Sequence, residues 1–301
     1  MPINKNFRTD LAMEANEYLA SQNKSPTDGI ITKRIDSCEG VETDVVEVTS
    51  NEAAEILGKQ IGTYITFSSN AITNRDPEIF ENISQCMADA MVDMLSDADK
   101  KKGVLVVGLG NRYMTADSLG PKVVEKTMVT RHILSIMPDK VDDRLRPVSA
   151  LAPGVMGVTG IETSEVIESL VGKINPGAII AVDALASMST ERICSTIQVA
   201  DTGISPGAGV GNKTKSLNKE TLGIPVIAIG SPTVVYASTI VKEMTKGNIL
   251  DSSKMNIIED MIVTPREIDV AIDDIAGIIS MALNLLIHKG INAEEVNSYL
   301  N

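Results

Sequence analysis

Apolar positions along the chain follow two patterns. Continuous aliphatic runs, VLVVGLG at 104–110, AIIAVDALA at 178–186 and IPVIAIG at 224–230, read as strands buried on both faces. DVVEVT at 44–49 and ITFSS at 65–69 read as shorter strands. Apolar residues recur at helical spacing across 78–97, and a helix is predicted from about Asp117 to Met137. Start signals mark three more helices. Thr49-Ser50-Asn51-Glu52 is a capping box before AAEILGK, Ser231-Pro232 puts Pro at the first position of a helix reaching Lys246, and Thr264-Pro265-Arg266-Glu267 opens one reaching Ile287. Strands alternating with helices predict an α/β fold with a doubly wound, largely parallel sheet and helices on both faces. The first 40 residues are polar, with 21–29 read as a loop, and 201–221 form the longest predicted loop.

Charge and composition then remove several function classes. The net charge of −13 argues against direct nucleic-acid binding, which needs a basic face, and against docking on an anionic membrane. No Trp, 5 Tyr and 3 Phe leave few rings for stacking bases or sugars, so the core must be aliphatic with Met filling gaps. Cys38, Cys86 and Cys194 lie far apart without a CxxC pair, and reduced thiols are expected. With only His132 and His288, a His-rich metal site and a Ser/His/Asp triad are poorly supplied, and neither metal nor cofactor is expected. The N-terminus lacks the apolar stretch of a signal peptide, and the run Ile275 to Ile287 is interrupted and too short to span a bilayer. The expectation is a soluble intracellular protein whose acid/base chemistry, if it is an enzyme, rests on carboxylates.

In open α/β sheets ligands bind at the carboxyl ends of the strands, and two aspartates fall there. Asp117 follows the strand 104–110 by a short loop, and Asp183 lies inside an aliphatic strand. Two desolvated carboxylates close together separate in pKa into an acid and a base. Each also has a plain structural reading: Asp117 as a helix N-cap, Asp183 as a carboxylate bonded to backbone N–H groups. Other motifs are discounted. VVGLGN has Tyr113 where a dinucleotide fingerprint needs its third glycine, and GAGVGNKT at 207–214 has Asn212 where a P-loop needs its second. Asp201-Thr202-Gly203 is a single copy in an α/β context, unlike the paired loops of pepsin-type barrels. His132, beside Arg131 on a predicted helix, reads as a surface residue.

Seven blocks together resemble the germination protease family of endospore-forming bacteria. They are FRTDLAMEANE (7–17), VVGLGNRYMTADSLGPKVV (106–124), LAPGVMGVTGIETSEVI (151–167), AIIAVDALAS (178–187), TIQVADTGISPGAGVGNK (196–213), IPVIAIGSPTVV (224–235) and VTPREID (263–269). The resemblance implies an endopeptidase that degrades the small acid-soluble proteins coating spore DNA, in the cytoplasm of the forespore and spore core. It implies a self-processing zymogen, with residues 1–10 a propeptide cut between Asp10 and Leu11 and residues 11–301 a single α/β peptidase domain. The cut is acidic-then-aliphatic, like the bonds the family cleaves in its substrates. The family's two implicated aspartates fall on Asp117 and Asp183, and a homotetramer is implied. The fold is similar to that of hydrogenase maturation proteases, and a metal-sensing maturation peptidase is the alternative reading, with His132 its nearest ligand. Backbone donors for an oxyanion are expected from Gly108, Gly110 and Asn111 or from Gly207 and Gly209. Tyr236 stands where the family pattern has an acidic residue.

Overall fold

A computed structural model describes residues 9–22, 28–95, 102–205, 215–245, 258 and 261–300. They build one nine-stranded sheet: β1 (Ile30–Cys38), β2 (Val41–Val48), β3 (Gly62–Ser68), β4 (Val104–Gly108), β5 (Val148–Leu151), β6 (Ala178–Ser187), β7 (Thr196–Ala200), β8 (Val226–Tyr236) and β9 (Ile262–Val263). The strand order is β1-β2-β3-β7-β8-β6-β4-β5, with β9 on the far end of β8. β8, β6, β4 and β5 run parallel, whereas β1, β2, β3 and β7 join by antiparallel pairings and β7 is antiparallel to β8. The α/β layering follows the predicted alternation, but the sheet is mixed rather than largely parallel. In the antiparallel half β1 and β2 are joined by a short turn, the helix Asn51–Leu57 lies between β2 and β3, and β7 comes from far along the chain to pair with β3.

Side chains alternate across the sheet as pleating requires. Val104, Val106, Ile180 and Val182 face the helices Pro77–Met94, Leu119–Lys126 and Ile268–Ile287 in one core. Leu105, Val107, Ile179 and Ala181 face the other way, toward Ile167 of the helix Thr163–Ile174. The N-terminal helix Ala12–Ser21 packs Ala12, Ala15 and Leu19 with Val46, Val48 and Tyr64. Ile268–Ile287 is the one helix, among the described residues, long and apolar enough to cross a membrane, longer than the interrupted run suggested. Here it is a core helix: Ile272, Ile275, Ile279 and Leu283 are all fully buried.

Local chemistry explains several helix boundaries. Ser50 Oγ accepts from Ala53 N at 3.1 Å, capping the helix Asn51–Leu57, and Gly58 ends it with φ 68°. Asp76 caps the helix Pro77–Met94, with Pro at its first position. Three expectations are corrected. Ser231-Pro232 opens no helix; β8 continues to Tyr236, because both residues pair with β6, and the helix begins at Ala237. The helix predicted from Asp117 to Met137 is two, Leu119–Lys126 and Arg131–Ile136, separated where Thr127 and Thr130 turn their hydroxyls onto the Val123 and Arg146 carbonyls. Cys38 and Cys86 form a disulfide, with Cα atoms 6.3 Å apart, tying the end of β1 to the helix Pro77–Met94. Their 48-residue separation hides the contact in the sequence. Cys194 is a buried free thiol, its pKa pushed up to about 12 by burial.

Candidate active site

The site begins with one row of residues across three strands. Gln198 of β7 pairs with Gly230 of β8, and Gly230 pairs with Asp183 of β6. Directly opposed residues project from the same face, so an amide and a carboxylate flank a position without a side chain. Asp183 Oδ1 accepts from the next N–H, that of Ala184, at 2.9 Å.

Asp117 is brought to the same edge by glycine contacts. β4 ends at Gly108, paired with Val182, and Leu109 N still donates to the Val182 carbonyl at 2.7 Å. A Cβ on Gly108 or on Gly120 would collide with the other segment's backbone, so the helix Leu119–Lys126 lies directly on the strand ends. Gly110, at φ 105°, turns the chain into the loop that returns as the turn Thr115–Asp117. Asn111 N donates to Asp117 Oδ2 and to the Asp117 carbonyl, both at 2.9 Å. Asp117 is therefore held by this loop and does not cap the following helix.

The third part is the segment Thr9–Ala12. β6 runs past the end of β4, and there Asp10 N donates to the Ala186 carbonyl at 3.0 Å while Ala186 N donates to Asp10 Oδ2 at 2.8 Å. The Asp10 carbonyl receives Lys59 Nζ at 2.8 Å and Gln198 Nε2 at 3.2 Å. Ala12 N donates to Gln198 Oε1 at 2.8 Å, so one side chain holds groups on both sides of Leu11, which is fully buried. Glu14, also fully buried, accepts from Met188 N at 2.6 Å, Ser189 N at 3.1 Å and the Thr9 hydroxyl, and pairs with Arg192 at 3.3 Å. Arg192 also holds Glu17 at 2.8 Å.

These groups share an electrostatic environment. Burial first, then the charge of Asp117 and that of Asp10, push the Asp183 carboxyl well above the usual carboxylate range, against the Ala184 N–H. Burial also raises Asp117, opposed by the Asn111 N–H, and raises Glu14 despite its donors. Lys59 is lowered by burial, against the charges of Asp10 and Glu14. Such an arrangement holds protons on carboxylates at pH values where free carboxylates are ionised, the condition for general acid catalysis.

Of the residues singled out by sequence, Asp10, Leu11, Asp117, Asp183, Gly108, Gly110 and Asn111 meet here. The Asn111 N–H is engaged by Asp117, so it holds that carboxylate rather than standing free for an oxyanion. Gly207 and Gly209 lie outside the described residues. His132 is exposed on the helix Arg131–Ile136, and no group of three or more His, Cys, Asp or Glu side chains converges as metal ligands among the described residues. Asp201 of the DTG motif accepts from Thr63 N at 2.8 Å and has a structural role there. Sequence reasoning missed Glu14, Lys59, Gln198 and Arg192. Only Gln198 carried a readable signal, a polar residue alternating with Ile197 and Val199 in a buried strand. Glu14 and Lys59 sit in segments whose polarity resembles that of any solvated surface.

Comparison with known proteins gives three findings. The Germination protease family model matches residues 8–254. The germination protease of Clostridium perfringens (strain ATCC 13124) is 40% identical over 324 positions, covering 98% of this chain and 99% of that one; that of Clostridium acetobutylicum is 41% identical over 326, and that of Bacillus subtilis 38% over 356, covering 97% of this chain and 96% of that one. Among solved structures, the NiFe hydrogenase maturation protease HycI of Thermococcus kodakarensis aligns with 64% of this chain and 98% of its own, at 18% identity and a TM-score of 0.37.

Proposed function

This chain belongs to the germination protease family, and from that premise we propose that it is a self-processing aspartic-type endopeptidase whose first target is its own Asp10–Leu11 bond. One observation carries the reading: that peptide already lies bound as a substrate would, its acidic side chain and N–H on Ala186, three residues beyond Asp183. Residues 1–10 are the propeptide and residues 11–301 the peptidase domain.

In the proposed reaction the carboxylates of Asp117 and Asp183 hold one proton between them. Burial and the two neighbouring negative charges favour the proton on Asp183. Ionised Asp117 then takes a proton from water as the water oxygen attacks the Asp10 carbonyl carbon. Protonated Asp183 gives its proton to the leaving Leu11 nitrogen as the C–N bond breaks. The pair ends with its proton on Asp117 and returns to its starting state by exchange. The Ala186 N–H, which donates to the Asp10 carboxylate at 2.8 Å, selects an acidic residue before the cut, and the burial of Leu11 selects an aliphatic one after it.

By the same chemistry the substrates in trans are the small acid-soluble proteins that coat spore DNA, cut at acidic–aliphatic bonds in the forespore and spore core. A net charge of −13 suits an enzyme that takes hold of such proteins without competing for DNA phosphates. A homotetramer is the proposed assembly. The test is N-terminal sequencing after a mildly acidic incubation: Leu11 is the expected new terminus, and Asp183→Asn should remain uncut. Normal processing by Asp183→Asn would overturn the aspartate-pair assignment.

A further inference from the structure

The Asp10 carbonyl oxygen meets an unusual pair of donors. Neither is a backbone N–H: one is the ammonium of Lys59 at 2.8 Å, the other the amide of Gln198 at 3.2 Å. Taken on the reading that Asp10–Leu11 is the bond cut, we infer that Lys59 Nζ and Gln198 Nε2 form the oxyanion-binding pair of this enzyme, for its own processing and for substrates in trans.

Elements outside the segment Thr9–Ala12 place the backbones of both donor residues. Gly58, at φ 68°, ends the helix Asn51–Leu57 in the left-handed conformation, and Lys59 N is fixed on the Ala54 carbonyl at 3.1 Å. This reversal sends the lysine side chain over the Thr9 and Asp10 carbonyls, at 3.1 and 2.8 Å. Among the described residues, no carboxylate lies within ion-pair distance of Lys59. Its charge is thus directed at carbonyl oxygens. Gln198 comes from β7, whose neighbours Ile197 and Val199 are fully buried on the opposite face, so its position follows from strand register. Its Oε1 accepts from Ala12 N, which fixes the amide so that Nε2 points at the Asp10 oxygen.

The chemistry follows from charge development. When water attacks the Asp10 carbon, the π electrons of C=O move onto the oxygen. The resulting anion then faces a cation and an N–H dipole in a desolvated site, where such interactions far exceed their strength in water. Collapse returns the pair to the carbonyl and expels the Leu11 nitrogen, protonated by the carboxylate pair. Lowering of the Lys59 pKa by burial is opposed by Asp10 and Glu14, the two carboxylates whose charge it feels. The expected backbone donors of the 108–111 turn are unnecessary, and Asn111 is already engaged by Asp117. Once residues 1–10 depart, the same two donors are free for the carbonyl of an incoming chain.

The test compares wild type with Lys59→Met, Lys59→Arg and Gln198→Met in the full-length chain, following appearance of Leu11 as N-terminus. Lys59→Met should slow processing about 10²–10³-fold and Gln198→Met by about tenfold or more, with Lys59→Arg recovering most of the loss. Processed chains, obtained by prolonged incubation, are then assayed on a peptide containing one acidic–aliphatic bond. The expected signature is a fall in kcat with KM within about threefold. A rise in KM at unchanged kcat would mark simple tethering and overturn the inference, as would Lys59→Met and Gln198→Met processing at the wild-type rate. If Lys59→Met fails to fold, Lys59→Arg and Gln198→Met decide by the same criteria. A wild-type chain that never yields Leu11 sinks the processing reading itself, a result distinct from any difference among the variants.

Discussion

Gly120→Ala tests whether glycine contacts, rather than the loop alone, set the position of Asp117. A Cβ at this position would stand 2.5 Å from the Leu109 nitrogen and 2.6 Å from the Val182 carbonyl oxygen, with the Leu109 oxygen closer still. All three are backbone atoms of the strand ends, so no side chain can rotate away. Restoring van der Waals contact near 3.5 Å requires the helix Leu119–Lys126 to retreat by roughly 1 Å. Overpacking of this kind costs about 1–3 kcal/mol. At about 2–3 °C per kcal/mol for a chain of this size, the melting temperature should fall by about 2–9 °C. The same retreat carries Asp117 away from Asp183, and a 1 Å misplacement costs about 10²-fold in rate. Differential scanning calorimetry and the time course of Leu11 appearance measure the two effects. Gly172→Ala, on an exposed helical position with nothing within 4 Å of the added carbon, is the control and should raise stability by about 0.5–1 kcal/mol. A Gly120→Ala protein that melts and processes like wild type would refute the reasoning.

The raised carboxyls predict an unusual pH dependence of stability. A group whose folded pKa lies above its unfolded value contributes stability that is present below the unfolded value and lost as pH rises through the folded one. With Asp183, Asp117 and Glu14 all raised, the folded site binds protons more tightly than the unfolded chain. Asp183→Asn should therefore melt higher than wild type at pH 7.5, with the advantage vanishing toward pH 4 in melts run promptly after the pH change. An unchanged difference across that range would contradict the shift. Glu14→Gln turns an amide NH2 toward one of the Met188 and Ser189 N–H groups and leaves Arg192 with only Glu17 as its charged partner; it should cost about 2 kcal/mol and raise amide exchange across residues 10–15, read by mass spectrometry. Iodoacetamide should label no cysteine of the native chain, because Cys38 and Cys86 are paired and Cys194 is buried, and two after mild reduction. Two labels before reduction would rule the disulfide out.

Much of the scaffold was legible in the sequence because it rests on local rules. Aliphatic runs gave β4, β6 and the start of β8, since a strand buried on both faces must be apolar throughout. The capping motif at 49–52 announced the helix Asn51–Leu57 because such side chains satisfy N–H groups within three residues, although Ser50 rather than Thr49 is the residue that caps. Asp117 and Asp183 stood out because a carboxylate at an aliphatic strand end is chemically costly, and that cost does not depend on what lies opposite. What the sequence left undecided were relations between distant segments. Ser231-Pro232 carries a sound helix signal, yet pairing with β6 keeps it in the strand. The pairing of β3 with β7, the Cys38–Cys86 link and the convergence of Asp10, Lys59 and Gln198 all depend on contacts between residues 48 to 188 positions apart. A lysine after a helix-ending glycine looks solvated in sequence, because burial is a property of the assembled chain. Only when β7 lies beside β8, and the N-terminal segment beneath Lys59, does an ordinary polar residue become a donor aimed at one carbonyl oxygen.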